Sequence, residues 1–61
     1  MYAKYVALRD AKEVKDIDVA KATGIEPSTF SDWKRGKSAP KVEKLVKIAD
    51  YFEVTLDELV R

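Results

Sequence analysis

DIDVAKATGIEPSTFSDWKRGK, running from Asp16 to Lys37, is the stretch whose reading decides the fold. Before its first glycine, Ile17, Ala20 and Thr23 recur at helical spacing; after it, Phe30 and Trp33 stand three apart, so each segment has one face to bury. Ala20 is small enough to let a second helix approach closely. Gly24 supplies the positive φ that stops a helix sharply, and Ile25 offers an apolar plug beneath the turn. Pro27 suits the first turn of the following helix, where its missing N–H would have had no partner. The pattern predicts one helix over about 17–23, with Asp16 as its N-cap, and another over about 27–35, the two set at a steep angle by a tight turn.

Such a pair is a helix-turn-helix, here spanning about residues 16–35. Its core set, Ala20, Gly24, Ile25, Phe30 and Trp33, resembles the motif of the phage repressor and Cro-like (XRE) DNA-binding domains. The resemblance continues upstream through Leu8 and Arg9 and downstream through Gly36, Lys37, Pro40, Leu45, Ile48, Ala49 and Leu59, covering nearly the whole chain without an insertion. A lone Ala-x-x-x-Gly occurs by chance in many helical proteins; the spaced set is far more specific. It implies an all-α fold, a compact five-helix bundle like the lambda repressor's, with residues 1–61 forming one domain. It also implies sequence-specific binding of double-stranded DNA by a transcriptional regulator of bacterial or prophage origin, a repressor above all. The Ser38-Ala39-Pro40 segment leading into a Lys-rich helix most resembles the prophage repressor branch.

The bulk properties fit this reading and exclude others. Sixty-one residues allow only a small core, near the lower limit for folding without a metal, disulfide or partner. With no cysteine and no histidine, there are no disulfide staples, no thiol chemistry, no usual zinc ligand set and no ready general base near neutral pH. Neither a Gly-rich phosphate loop nor a catalytic constellation is present, so neither enzymatic activity nor a cofactor is expected. No apolar run reaches the length of a membrane span and the start lacks a signal-peptide core, so a cytoplasmic chain with no membrane association is expected.

The net charge of +1 is unevenly spread. Residues 1–33 hold five Lys/Arg against six Asp/Glu, residues 34–47 six against one, and residues 48–61 one against four. A basic block directly after the second helix of the motif stands where a backbone-phosphate clamp would be placed, and the acidic tail would be kept from DNA. A solvated Lys-rich face is the other reading of this block.

Helix 1 is predicted over about Tyr2–Lys12, with Tyr5, Leu8 and either Ala11 or Tyr2 facing inward. Relatives often pair an arginine at position 9 with a glutamate just after the recognition helix, but here that partner position is Lys34. Arg9 is therefore expected to turn to Asp10, Glu13, Glu43 or a DNA phosphate. Relatives also often carry at position 16 a glutamine that bonds a phosphate, a role unsuited to an aspartate; Lys15, one residue earlier, is expected to supply that contact instead. Glu13 and Glu53 stand where relatives usually have a glycine at a helix end, so both are candidates for a left-handed backbone.

The helix beginning at Pro27 is the expected recognition helix. Matched to the family motif, Pro27, Ser28 and Asp32 are the base-reading positions, with Thr29 and Ser31 as neighbours. Pro27 suits a thymine methyl, Ser28 almost any base edge, and Asp32 a cytosine amino group; ordinary helix-surface polarity is the other reading of Ser28 and Asp32. The base-reading positions themselves carry no bidentate Arg, Asn or Gln. Trp33 is read as a core anchor rather than a base-stacking platform, because Phe30 shares its face. Arg35, Lys37 and Lys41 join Lys15 as phosphate contacts, with the backbone N–H groups of the Gly36 loop free to approach phosphate. Four such contacts correspond to a slope of log K against log salt of about −3.6 per subunit.

Helix 4 is predicted over about 41–52, burying Val42, Leu45, Ile48, Ala49 and Phe52, with Glu43 pairing Lys47. Helix 5 opens with a capping box, Thr55 with Glu58, and a staple of Val54 on Leu59. Tyr51, Leu56 and Val60 form a candidate dimer patch. The expected partner is an operator with inverted half-sites, bound by a homodimer, and residues 1–61 would be the headpiece if the natural chain is longer. The other functional class in view is a protein-interaction module, such as the antitoxin of a toxin–antitoxin pair, whose helical surface holds a protein partner.

Overall fold

In the computed structural model, which describes residues 1–61, five helices follow one another without a strand: α1 Tyr2–Lys12, α2 Asp16–Thr23, α3 Pro27–Lys34, α4 Val42–Tyr51 and α5 Leu56–Val60. The fold class read from the sequence holds. α2 packs on both α3 and α4, while α5 closes the bundle against α4 and α1. Tyr5, Val19, Ala20, Ile25, Phe30, Trp33, Leu45, Ile48, Ala49 and Leu59 make one continuous core. Four of the five residues of the expected motif core, Ala20, Ile25, Phe30 and Trp33, lie in it, while Gly24 is exposed at the turn.

The aromatic residues organise that core. The Tyr5 ring stacks on Phe30 at 5.4 Å and on Trp33 at 5.0 Å between centroids, with Phe52 edge-on at 6.0 Å. Tyr2, half-buried, meets Trp33 edge-on at 5.3 Å. Offset and edge contacts of this kind contribute roughly 0.5–1.5 kcal/mol per pair beyond the area they bury. They join α1, which supplies the tyrosines, to the helix whose other face is left exposed.

Three helices end in the same way. After α3, the Lys37 N–H donates to the Asp32 carbonyl at 2.9 Å and the Gly36 N–H to that of Trp33 at 3.1 Å, with Gly36 at φ +72°: a Schellman motif. After α1, Val14 donates to Arg9 and Glu13 to Asp10; after α4, Val54 donates to Ala49 and Glu53 to Asp50. Glu13 and Glu53 sit at φ 59° and 56°, the left-handed conformation anticipated for them. No hydrogen bond from either carboxylate offsets the strain.

Several expectations about faces and caps are corrected. α2 begins at Asp16, so Lys15 rather than Asp16 is its N-cap, and the Lys15 N–H donates to the Asp18 carboxylate at 2.9 Å. Ile17 is 46% exposed, and Val19 takes the buried place assigned to it. Because α2 is clasped by α3 on one side and α4 on the other, its buried arc centres on Val19 and Ala20. Val42 is 63% exposed: it begins the first turn of α4, and the buried stripe starts only at Leu45. Ala11 is exposed, leaving Tyr2 as the further inward residue of α1. Glu43 and Lys47 do not pair. Thr55 accepts from the Glu58 N–H at 3.1 Å, so one half of the expected box is formed. Val54 is half-buried against the core and Leu59 fully buried, as a staple requires.

Replacing Glu13 or Glu53 by glycine removes a left-handed penalty of about 1 kcal/mol. Each substitution is expected to raise the melting temperature by roughly 4–8 °C in a domain of this size, read by circular dichroism. A lower melting temperature for either would show that the glutamate side chain contributes more than its backbone costs.

Candidate nucleic-acid interface

The turn between α2 and α3 is fixed by local chemistry. The Gly24 N–H closes on the Ala20 carbonyl at 2.9 Å with φ +74°. A side chain added there would meet open space, so glycine is required for its backbone angle and not for room. The Thr23 hydroxyl donates to the Val19 carbonyl at 2.7 Å and accepts from the Ile25 N–H at 3.4 Å, tying both ends of the turn. Ile25 is buried as the expected plug. Pro27 opens α3 at its first position, after Glu26 as N-cap.

With Phe30 and Trp33 held inward, the opposite side of α3 faces out. Pro27, Ser28 and Ser31 are exposed, and Thr29 and Asp32 are half-buried. Ser28, Asp32 and Arg35 lie four and three residues apart and form one stripe, because the Arg35 N–H donates to the Ser31 carbonyl at 3.1 Å and continues the helical register. Within this stripe, Arg35 Nη2 lies 3.1 Å from Asp32 Oδ1. The sequence reading treated these two residues separately, one for a base and one for phosphate; the structure joins them.

The flanking cations are Lys34, Lys37 and Lys41, all exposed, with Lys41 the N-cap of α4. Lys15 is exposed at the start of α2. The backbone N–H groups of Arg35, Gly36 and Lys37 are all taken by carbonyls of α3, which corrects the expectation that this loop offers free N–H donors to phosphate. What this loop offers an anion is therefore the charge of its side chains. Glu26 at the head of α3 and Asp16 with Asp18 in the first turn of α2 oppose an anion at those two helix ends.

A polar brace behind the motif was not anticipated. Tyr5 donates its hydroxyl proton to Asp16 Oδ1 at 2.6 Å, and Arg9 Nη1 reaches the same oxygen at 3.0 Å. Arg9 also pairs with Asp10 at 3.2 Å, one of its expected partners, while Glu13 and Glu43 are not used. Asp16 is thus neither cap nor phosphate ligand; it is the acceptor that locks α2 to α1. Burial, and after it the hydrogen bond to Asp16, pushes the Tyr5 phenol well above the usual tyrosine range. The hydrogen bond to Asp16, against the cost of desolvation, raises Arg9 further still.

A helix-turn-helix family model matches residues 7–59, and the chain belongs to that family in its XRE, Cro-like form. Among relatives, it is 33% identical over 57 residues to the HTH-type transcriptional activator BcrR of Enterococcus faecalis, an alignment covering 93% of this chain and 28% of BcrR. It is 35% identical over 51 residues to the cryptic phage CTXphi transcriptional repressor RstR of Vibrio cholerae, covering 84% of this chain and 46% of RstR. The chain therefore spans less than half the length of either relative. No solved structure matches it. No helix is long and apolar enough to cross a membrane.

The brace gives a pH prediction. Native Tyr5 keeps its proton above pH ~10, where an unfolded tyrosine loses it, so the folded state binds more protons there and stability falls as pH rises. That contribution is fully present below pH ~10 and is lost above it, at up to about 1.4 kcal/mol per pH unit. Urea denaturation at pH 7 should find Tyr5→Phe less stable by about 1–3 kcal/mol, because Asp16 loses a donor. Between pH 10 and roughly 11.5 the gap to the parent should narrow; a constant gap would contradict the assignment.

Proposed function

We propose that this chain is the DNA-reading headpiece of a prophage or bacterial repressor, presenting α3 to the major groove of an operator with inverted half-sites. One observation carries the reading: the stripe Ser28, Asp32 and Arg35 faces outward from a helix-turn-helix whose opposite side is committed to the Tyr5–Phe30–Trp33 stack. A helix fits the major groove, where each base pair displays its own pattern of donors, acceptors and methyl groups. Ser28, with Pro27, Thr29 and Ser31 beside it, supplies adaptable contacts to base edges. Lys37 and Lys41, just beyond α3, and Lys15, at the head of α2, contact phosphates on either side and set register and affinity. Occupying an operator is enough for repression, and both relatives named above are transcriptional regulators.

Two copies related by a two-fold axis would place their α3 helices one helical turn of DNA apart. Val60, 39% exposed on α5, with the half-buried Tyr51 and Leu56, supplies the apolar surface for that contact. Residues 1–61 act here as one domain whose acidic C-terminal segment stays off the DNA.

Selection of sites from random duplex DNA is expected to yield a palindrome preferred over scrambled DNA by about a thousandfold or more. Lys37→Ala should weaken all sequences alike and make the salt slope shallower by about one unit, while Ser28→Ala should change preference at one position per half-site. A uniform loss with Ser28→Ala would argue against base reading by α3. Val60→Glu should lower affinity for the full palindrome while sparing the half-site; equal effects on both would remove α5 from the dimer contact.

A further inference from the structure

The recognition helix has no bidentate base-reading side chain of its own, yet its exposed stripe continues into an arginine. Arg35 sits at the C-cap of α3 in helical register with Ser28 and Asp32, and its side chain is 67% exposed. Its only hydrogen-bond partner is Asp32 Oδ1 at 3.1 Å, through one Nη2 proton. The remaining guanidinium donors are free, and the planar group carries five in a fixed fork. An aspartate alone on a surface approaching DNA would be repelled by the phosphates. Held against Arg35, it cancels local charge and restrains an otherwise mobile side chain.

We infer that Arg35 reads a guanine in the major groove, and that Asp32 is a positioning residue that steers its guanidinium rather than a reader of cytosine. This rests on the DNA-binding reading above and names the base and residues that give it specificity. A guanidinium places two N–H groups against guanine O6 and N7, a pairing no other base offers, whereas a phosphate contact carries no sequence information. As an exposed ion pair, Asp32–Arg35 adds little to fold stability, so its effect belongs to the orientation of the arginine before DNA arrives. Bound to DNA, Arg35 would keep Asp32 on one edge and present the other to the base.

The test uses the selected operator and its single-base variants, measured by fluorescence anisotropy at two salt concentrations with the parent chain, Arg35→Ala, Arg35→Lys and Asp32→Asn. The parent is expected to prefer guanine at one position per half-site by about tenfold or more. Arg35→Ala and Arg35→Lys should both abolish that preference, since an ammonium cannot reproduce the planar fork; Asp32→Asn should reduce it several-fold, with the salt slope nearly unchanged. Preference at the Ser28-dependent position should survive in all three. Equal weakening of every sequence by Arg35→Ala, with retention by Arg35→Lys and a slope shallower by about one unit, would make Arg35 a phosphate clamp and overturn the inference. An unchanged guanine preference in Asp32→Asn would overturn the positioning role. If the parent itself selects no sequence and binds duplex without salt dependence, the DNA-binding reading fails as well, an outcome distinct from either of these.

Discussion

Tyr5 carries two demands at once, and most of the structure depends on both being met. Its ring is clamped between Phe30 and Trp33, while its hydroxyl finds an acceptor in Asp16. Burying a phenol without a partner would cost several kcal/mol, and a ring too far from α3 would leave the inner face of that helix unfilled. The single side chain therefore ties α1 to both helices of the motif. Arg9 completes the arrangement by contributing positive charge to the same Asp16 oxygen, so that the carboxylate at the head of α2 is paired rather than repelled by its surroundings. In a core of ten residues there is little redundancy to replace such a contact.

The consequence for function is division of labour between the two sides of α3. Aromatic packing fixes the inner side, and the polar residues on the outer side are released from any duty to the fold. The Schellman closure after α3 consumes the loop's N–H groups and delivers Lys37 at the edge of the exposed face. Cations concentrate from Lys34 onward, whereas the first turns of α2 and α3 are flanked by carboxylates. Charge thus makes the loop after α3 and the head of α4 the most anion-attracting part of this side.

What was legible in the sequence was what local chemistry dictates. The positive φ at Gly24, the proline at the start of α3 and the Thr55 cap all follow from demands within a few residues, whereas the left-handed ends at Glu13 and Glu53 were legible only through the family resemblance. The buried face of α3 was legible too, because two large aromatics three apart admit one orientation. α2 was harder. In a helix of eight residues the choice between Ile17 and Val19 is made by what packs on either side, which spacing within the helix does not reveal. Val42 failed for a related reason: periodicity extended a stripe past the end of the core. The pairing of Arg9 and Tyr5 with Asp16 joins different helices and leaves no periodic signal; Asp32 and Arg35 stand three apart on one face, but were read for different tasks, so their pairing was passed over. The burial of Pro40, in the loop that joins α3 to α4, likewise depends on the path of that loop.

The central claim is that the exposed side of α3 and the loop after it form the surface that meets DNA. Its most direct test is a titration of isotopically labelled protein with operator duplex, following each backbone amide by nuclear magnetic resonance. The account predicts that the largest shifts fall at residues 27–37, with smaller ones near Lys15 and Lys41, while Glu53 to Glu58 stay nearly unchanged. Shifts centred on α5, with α3 unaffected, would contradict it and move the functional surface to the other side of the bundle.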